Sequence, residues 1–209
     1  MSKKEIYKTV AEQTESLLIE KKSKFIANVK PVDNEADALE FLNEIRSKYP
    51  DATHNVYAYV IDENNIYRYS DDGEPSGTAG MPVLDAIRKR EIVDVIVVVT
   101  RYFGGTLLGT GGLVRAYTQA TQAGIAAADV VTISRCVDIS VRMPYSYYDQ
   151  VTRIALDSGA KTVNTDYTDS VELTVRMLDG TQDSFLHKMR ELFHGEESVC
   201  VSEAIDAEF

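Results

Sequence analysis

Two segments rich in glycine and charged residues hold the side chains best suited to chemistry in this chain of 209 residues. The first runs from Asp71 to Gly80 and carries three carboxylates; the second runs from Arg101 to Arg115 and has an arginine at each end. Each precedes an expected helix, whose first turn presents unpaired N–H groups and a partial positive charge. Glycine lets such a backbone approach a ligand closely. The pattern therefore predicts a site for an anion, above all a phosphate.

The second segment contributes two arginines, a tyrosine and a group of glycines to this expected anion or nucleic-acid site. These residues are Arg101, Tyr102, Gly104, Gly105, Gly109, Gly111, Gly112 and Arg115. Each arginine can pair with a phosphate through two hydrogen bonds. The glycines also fit another interpretation, in which they allow tight turns and close packing of a helix on a sheet. Neither Gly-x-Gly-x-x-Gly nor Gly-Lys-Ser/Thr occurs here, so we expect no nucleotide cofactor and assign no other cofactor.

The first segment, with the histidine that precedes it, forms a possible second face of the site. Its residues are His54, Asp71, Asp72, Glu74, Ser76 and Thr78. They can perform acid–base chemistry with His54 as general base, or hold a magnesium ion against a phosphate. They can equally form turns, pair with a nearby arginine and, for His54, serve as a hydrogen-bonded structural residue. Because the acids lack EF-hand spacing and no CxxC occurs, we assign no metal site. Because the sequence shows no convincing pair of nucleophile and base, we assign no catalytic residue.

Hydrophobic periodicity predicts the elements that position these segments. In the first 131 residues it predicts strands at 16–20, 24–32, 55–62, 66–69 and 92–100, and helices at 36–49, 81–90 and 113–128. Residues 132–209 follow the order β-α-β-β-α-β, which is the ferredoxin-like split unit. The last of these strands is expected over 198–207. The sequence therefore predicts an α+β protein with two domains, 1–131 and 132–209.

Charge is unevenly distributed along the chain, whose formal net charge is -11. The first 135 residues hold 16 basic and 19 acidic side chains, whereas the last 74 hold 6 and 14. The acidic second domain favours a protein partner or none. A phosphate-binding surface in such a chain needs locally concentrated cations, and Lys21, Lys22, Lys24 and Lys30 form an early basic hairpin. Nearby tyrosines can stack bases or pack against a helix, so nucleic-acid contact stays open.

No long apolar run points to a membrane. The longest, Val95 to Val99, is far shorter than the roughly 20 residues of a membrane span. The charged residues at positions 1–5 lead into no apolar segment, so we expect no secretory signal and a cytoplasmic location.

Both glycine-rich segments resemble signatures of the IMPACT/YigZ family. The first is Asp71 to Gly80, and the second joins Thr100 to Gly105 with Leu108 to Leu113 and Arg115 to Tyr117. The stretch from Lys22 to Ala27 and His54 also match the family's pattern. The chain is similar to the bacterial members, which pair an IMPACT domain with a C-terminal ferredoxin-like domain. Nothing in it resembles the RWD domain of the eukaryotic members.

The resemblance implies a fold for each domain and a role in translation. The first domain should resemble domain 2 of ribosomal protein S5, a sheet with helices on one face and one left-handed crossover. The second should resemble the C-terminal domain of a translocating elongation factor. The implied function is a non-enzymatic binding protein that regulates translation through RNA, ribosome or protein contact. An enzyme acting on a small phosphorylated or anionic substrate is the alternative, and a protein-interaction module that docks through the acidic second domain is a third.

Overall fold

The computed structural model of the protein describes residues 6–194 and 198–209. These residues form two compact units, with the division between Val131 and Thr132. Residues 1–5, to which the prediction of no secretory signal applies, lie outside the described residues. Among the helices of the described residues, none has the length and apolar character to cross a membrane.

The first unit is built on an antiparallel sheet. The strands of this unit are β1 (Ile6–Val10), β2 (Thr14–Glu20), β3 (Ser23–Pro31), β4 (His54–Ile61), β5 (Ile66–Ser70) and β6 (Val95–Tyr102), and its helices are α1 (Glu35–Lys48), α2 (Gly80–Lys89) and α3 (Thr110–Ala127). The sheet consists of five of these strands, in the order β2-β3-β6-β4-β5, and β1 is not part of it. The central strand β6 is an apolar run because both of its faces are covered.

Helices cover both faces of this sheet, which corrects the expectation of helices on one face. Alternate residues of β6 point to opposite sides. Val95, Val97 and Val99 pack in one core with α2 and α3, whereas Ile96 and Val98 pack in another with α1. Since both sets are apolar, each face of the strand requires its own helical layer.

The two crossover connections of the sheet have opposite hands. β3 reaches β4 through α1 and β5 reaches β6 through α2, each passing one antiparallel strand. Both connections turn in the same sense within the plane of the sheet, but their helices lie on opposite faces. One of the two is therefore left-handed, an exception to the usual rule and an implied feature of the S5-like fold.

Element boundaries near the second glycine-rich segment differ from the predicted ones. β6 continues past residue 100 because Arg101 and Tyr102 pair with Phe25 and Lys24 of β3. α3 begins at Thr110 rather than at 113, so the connecting loop is limited to residues 103–109. The short strand β1 was not predicted at all.

The second unit has the predicted ferredoxin-like order. Its elements are β7 (Val130–Met143), α4 (Tyr148–Asp157), β8 (Lys161–Tyr167), β9 (Val171–Leu178), α5 (Asp183–Leu192), β10 (Val199–Val201) and β11 (Ile205–Glu208). β7 pairs with β9 on one side and with β10 and β11 on the other. The single closing strand predicted from sequence is thus two short strands, interrupted at 202–204.

Candidate functional site

A buried carboxylate, that of Glu74, joins the two glycine-rich segments. Its Oε1 accepts hydrogen bonds from Arg101 Nη1 at 2.5 Å and from the Tyr117 hydroxyl at 2.7 Å. Burial, reinforced by the adjacent Glu74 carboxylate, raises the pKa of Tyr117 and keeps its hydroxyl a donor. The first segment, the end of β6 and helix α3 therefore meet at this one carboxylate.

The Arg101 guanidinium lies in the interior and not on the surface. It is held between two rings, with its central carbon 5.4 Å from the centre of Phe25 and 5.8 Å from that of Phe103. The residue is only 6% exposed. Buried and bonded to Glu74 through Nη1, the guanidinium joins the two glycine-rich segments in this structure and is not exposed as the anion-site prediction requires.

The His54 ring is fixed next to the same carboxylate. Its Nδ1 lies 2.7 Å from the backbone oxygen of Asp72, which assigns the proton of the neutral ring to Nδ1. Nε2 lies 3.8 Å from Glu74 Oε2. His54 and Glu74 are thus neighbours, as an acid–base pair requires, but both side chains are largely buried.

The other residues of the first segment organise turns. The Asp71 carboxylate accepts hydrogen bonds from the backbone N–H groups of Gly77, Ala79 and Gly80, so it caps the start of α2. Asp72 accepts from the backbone of Asn55 and pairs with Arg46. The Thr78 hydroxyl donates to the carbonyl of Pro75, and Ser76 is exposed. In the part of the chain that the structure describes, no group of three or more potential ligands has metal-binding geometry.

A strained lysine turn lies beside the second segment. Glu20 pairs with Ser23, which leaves Lys21 and Lys22 as a two-residue hairpin turn. Their φ angles are 45° and 69°, in the left-handed region that Asn and Gly usually fill in such turns. Both lysine residues are exposed. The chain therefore places two cations where backbone energy alone favours other residues.

Gly104 fastens the loop 103–109 to this lysine turn. A Cβ at Gly104 would lie 2.1 Å from the carbonyl carbon of Lys22, so only glycine fits the contact. The Gly104 N–H also donates to Ser23 Oγ. Gly109, with φ of 70°, then turns the chain into α3. The glycines thus include positions that the packing interpretation explains.

A small cavity lies between the lysine turn and the first turns of α3. Its volume is about 110 Å³, and its polar lining consists of Glu20, Lys21, Arg115 and Gln119, with Gly112 of α3 beside them. Gly111 is exposed next to it, and a Cβ there would meet only the end of the Arg115 side chain. Of the predicted residues of the second segment, Gly105, Gly109, Gly111 and Arg115 are exposed, whereas Gly112 is buried.

Four exposed cations lie at this cavity or on the hairpin beside it, and we name them the cationic edge: Lys21, Lys22, Lys24 and Arg115. Lys21 and Arg115 line the cavity, whereas Lys22 lies in the turn and Lys24 in β3. None of the four forms a salt bridge with a carboxylate within residues 6–194 and 198–209. The site prediction named only Arg115 of these, although the sequence shows the lysines as a basic hairpin. The site prediction also omitted Tyr117, because the apolar pattern of α3 indicates only a core residue at that position.

Comparison with known proteins shows that all four residues of the cationic edge fall within one family of domains. The Impact N-terminal domain model matches residues 21–125. The chain is 36% identical over 194 residues to IMPACT family member YvyE of Bacillus subtilis, covering 92% of this chain and 89% of that protein. It is 31% identical over 178 residues to IMPACT family member YigZ of Escherichia coli, covering 84% and 87%.

The chain belongs to the IMPACT family. In this IMPACT family member a second model, Domain of unknown function (DUF1949), matches residues 141–196, within the second unit. A solved structure titled "Crystal structure of an hypothetical protein" is similar over 95% of this chain and 97% of its own, with a TM-score of 0.61 and 29% identity. The family resemblance expected from the two glycine-rich segments is confirmed.

Proposed function

We propose that this IMPACT family member is a non-enzymatic protein that binds RNA during translation through the cationic edge. The observation that carries this proposal is the group of four exposed cations, which have no carboxylate partner among the described residues, in a chain of net charge -11. An acidic chain repels polyanions in general, so a local group of free cations is a specific feature. A role at the ribosome also requires a cytoplasmic location.

The cavity beside Lys21 and Arg115 is the expected position of one phosphate. Both side chains line it, together with Gly112 from the first turn of α3, the turn whose backbone N–H groups have no partner inside the helix. Lys22 and Lys24 lie farther along the same hairpin and extend the track to a neighbouring phosphate. Such contacts hold a nucleic-acid backbone without reading its sequence.

Fluorescence anisotropy with a labelled twelve-nucleotide RNA tests the proposal. The triple variant Lys21→Ala/Lys22→Ala/Arg115→Ala should bind at least tenfold more weakly, and each lost phosphate contact should lower the salt slope by about one. A matched control, Lys89→Ala/Arg153→Ala/Arg190→Ala, removes three exposed cations elsewhere. An equal loss in the control would show that only net charge matters and would overturn the proposed site. Co-sedimentation with ribosomal subunits then tests the connection with translation.

One observation favours the alternative of an enzyme for a small anionic substrate. His54 and Glu74 are adjacent, and the two glycine-rich segments meet at Glu74, as an active site built from both requires. Against it, Glu74 is only 8% exposed and is bound by Arg101 and Tyr117. Phosphomonoester hydrolysis that His54→Gln abolishes, with RNA affinity unchanged, would favour the enzyme.

A further inference from the structure

Within residues 6–131, no helix covers the β2 edge of the sheet on the side of α1. Leu17 and Ile19 of β2 are 58% and 59% exposed, although both are aliphatic and lie within a strand. α1 packs against Ile96, Val98 and their neighbours in the centre of the sheet. The apolar surface beyond it is open to solvent in the first unit.

Strand register shows which side chains share this open surface. Leu17 pairs with Ile26, and Ile19 pairs with Lys24, which in turn pairs with Tyr102 of β6. Residues that are directly paired across strands point to the same face. We name these five residues, Leu17, Ile19, Lys24, Ile26 and Tyr102, the open sheet face.

Tyr102 is held in place at the inner end of this face. Its ring makes an edge contact with Tyr49, at 6.5 Å between ring centres, and Tyr49 donates a hydrogen bond to Glu15 of β2. The Tyr102 ring is half-buried and keeps part of its surface open to solvent. A ring positioned in this way loses little freedom when another flat group packs against it.

We propose that the open sheet face binds the unpaired bases of a single-stranded RNA whose phosphates lie on the cationic edge. This inference rests on the proposed function and specifies its substrate class. The cavity lies on the α3 face of the sheet and the open sheet face on the α1 face, so the RNA has to pass around the sheet edge at the lysine turn. Lys24 belongs to both the cationic edge and the open sheet face, and Lys21 and Lys22 form the turn at the end of the same hairpin. An apolar surface bordered by exposed lysines fits a ligand that has flat, apolar groups and carries anionic groups at regular intervals. Unpaired bases on a phosphate backbone have that chemistry, whereas a duplex buries its base faces.

The dimensions of the open sheet face suit a short single strand. From Ile19 to Tyr102 it spans two strand spacings, or roughly 10 Å. Leu17 and Ile19 add about 7 Å along the strand. This area accommodates about two bases, and the adjoining turn then meets the phosphates that flank them.

Anisotropy with single-stranded and duplex RNA of equal length tests the inference. Tyr102→Leu should weaken the binding of the single strand roughly 5- to 150-fold, the range for loss of one stacked base, and leave its salt slope and duplex binding unchanged. Leu17→Thr/Ile19→Thr should also weaken the single strand selectively, because threonine keeps the strand preference but removes apolar surface. Tyr67→Leu, at an exposed tyrosine on the opposite edge strand, is the matched control and should have no effect.

The possible outcomes separate this inference from the proposed function. Equal affinity for single strand and duplex, insensitive to Tyr102→Leu, would overturn the inference and leave the cationic edge as a general polyanion site. Failure of every polyanion to bind would overturn both. Concentration-dependent dimers that Leu17→Thr/Ile19→Thr abolishes, with RNA affinity unchanged, would show that a second copy covers the face. Photocrosslinks from 4-thiouridine RNA to peptides of β3 and β6 would directly support binding of RNA bases to the open sheet face.

Discussion

Arg101 Nη1 and Glu74 Oε1 lie 2.5 Å apart, and both residues are more than nine-tenths buried. The two residues are 27 positions apart in sequence, one in a strand and the other in a loop. A charged pair removed from water in this way is stable only while both partners are present. The pair therefore determines how the two glycine-rich segments meet, and its removal changes their folding before it changes any ligand contact.

Loss of either partner of this pair should strongly destabilise the first unit. Glu74→Gln and Arg101→Ala each leave a buried charge or its donors uncompensated, which costs about 3–5 kcal/mol. Urea unfolding measures the change. Arg46→Ala, which breaks a partly exposed pair with Asp72, is the control and should cost less than about 1 kcal/mol. A similar small cost at Glu74 would show that the buried pair contributes little.

The lysine turn should show a conflict between stability and binding. Lys21→Asn/Lys22→Gly introduces the residues favoured at two successive left-handed positions. We expect a gain of about 1 kcal/mol in the free energy of unfolding, mainly from relieved backbone strain. RNA affinity should fall, because two cations are lost. Lys21→Ala/Lys22→Ala should lose the affinity without gaining stability, and unchanged affinity in both variants would remove the turn from the site.

Two glycines of the second segment should respond to alanine in opposite ways. Gly104→Ala places a Cβ against the backbone of Lys22 and should destabilise the protein by about 1–3 kcal/mol or more. Gly111→Ala meets only a flexible arginine end within helix α3 and should stabilise the protein by up to about 1 kcal/mol. Thermal unfolding distinguishes the two.

Gly111→Ala also tests the phosphate position. The added methyl group occupies space beside Arg115, so a phosphate bound close to the backbone there should bind more weakly although the fold is intact. Undiminished RNA affinity would show that the ligand does not approach this turn of α3.

Acid should weaken the second unit through Asp138. Two hydrogen bonds from Arg176 hold the pKa of this carboxyl below its ordinary value of about 3.9. Because the folded pKa is the lower one, the pair contributes fully above the ordinary value, and its contribution is lost as pH falls through the folded value. Asp138→Asn should therefore flatten stability against pH below about 4. Asp206→Asn, which removes a longer and more exposed pair with Arg135, is the matched control for the loss of one carboxylate.

Sequence identified the two segments and the order of elements because these depend on local patterns. Glycine clusters and the alternation of apolar residues are visible within short windows. The direction of Arg101 is different, because it follows from the register that pairs it with Phe25 and so turns it toward the core. A cation at a strand end is ordinarily exposed, and nothing local reveals the buried Glu74 that receives it. The helix on the second face of the sheet likewise depends on long-range packing.

The place of β6 between β3 and β4 has a consequence for the protein during its synthesis. Both neighbours precede it in the chain, and about forty residues separate the end of β4 from the end of β6. At about 5–20 residues per second, the ribosome needs roughly 2–8 s to deliver them. During that interval the inner edges of β3 and β4 lack their partner strand. The nascent chain therefore has a period in which an unpaired apolar edge can recruit another strand. This period ends only when β6 emerges.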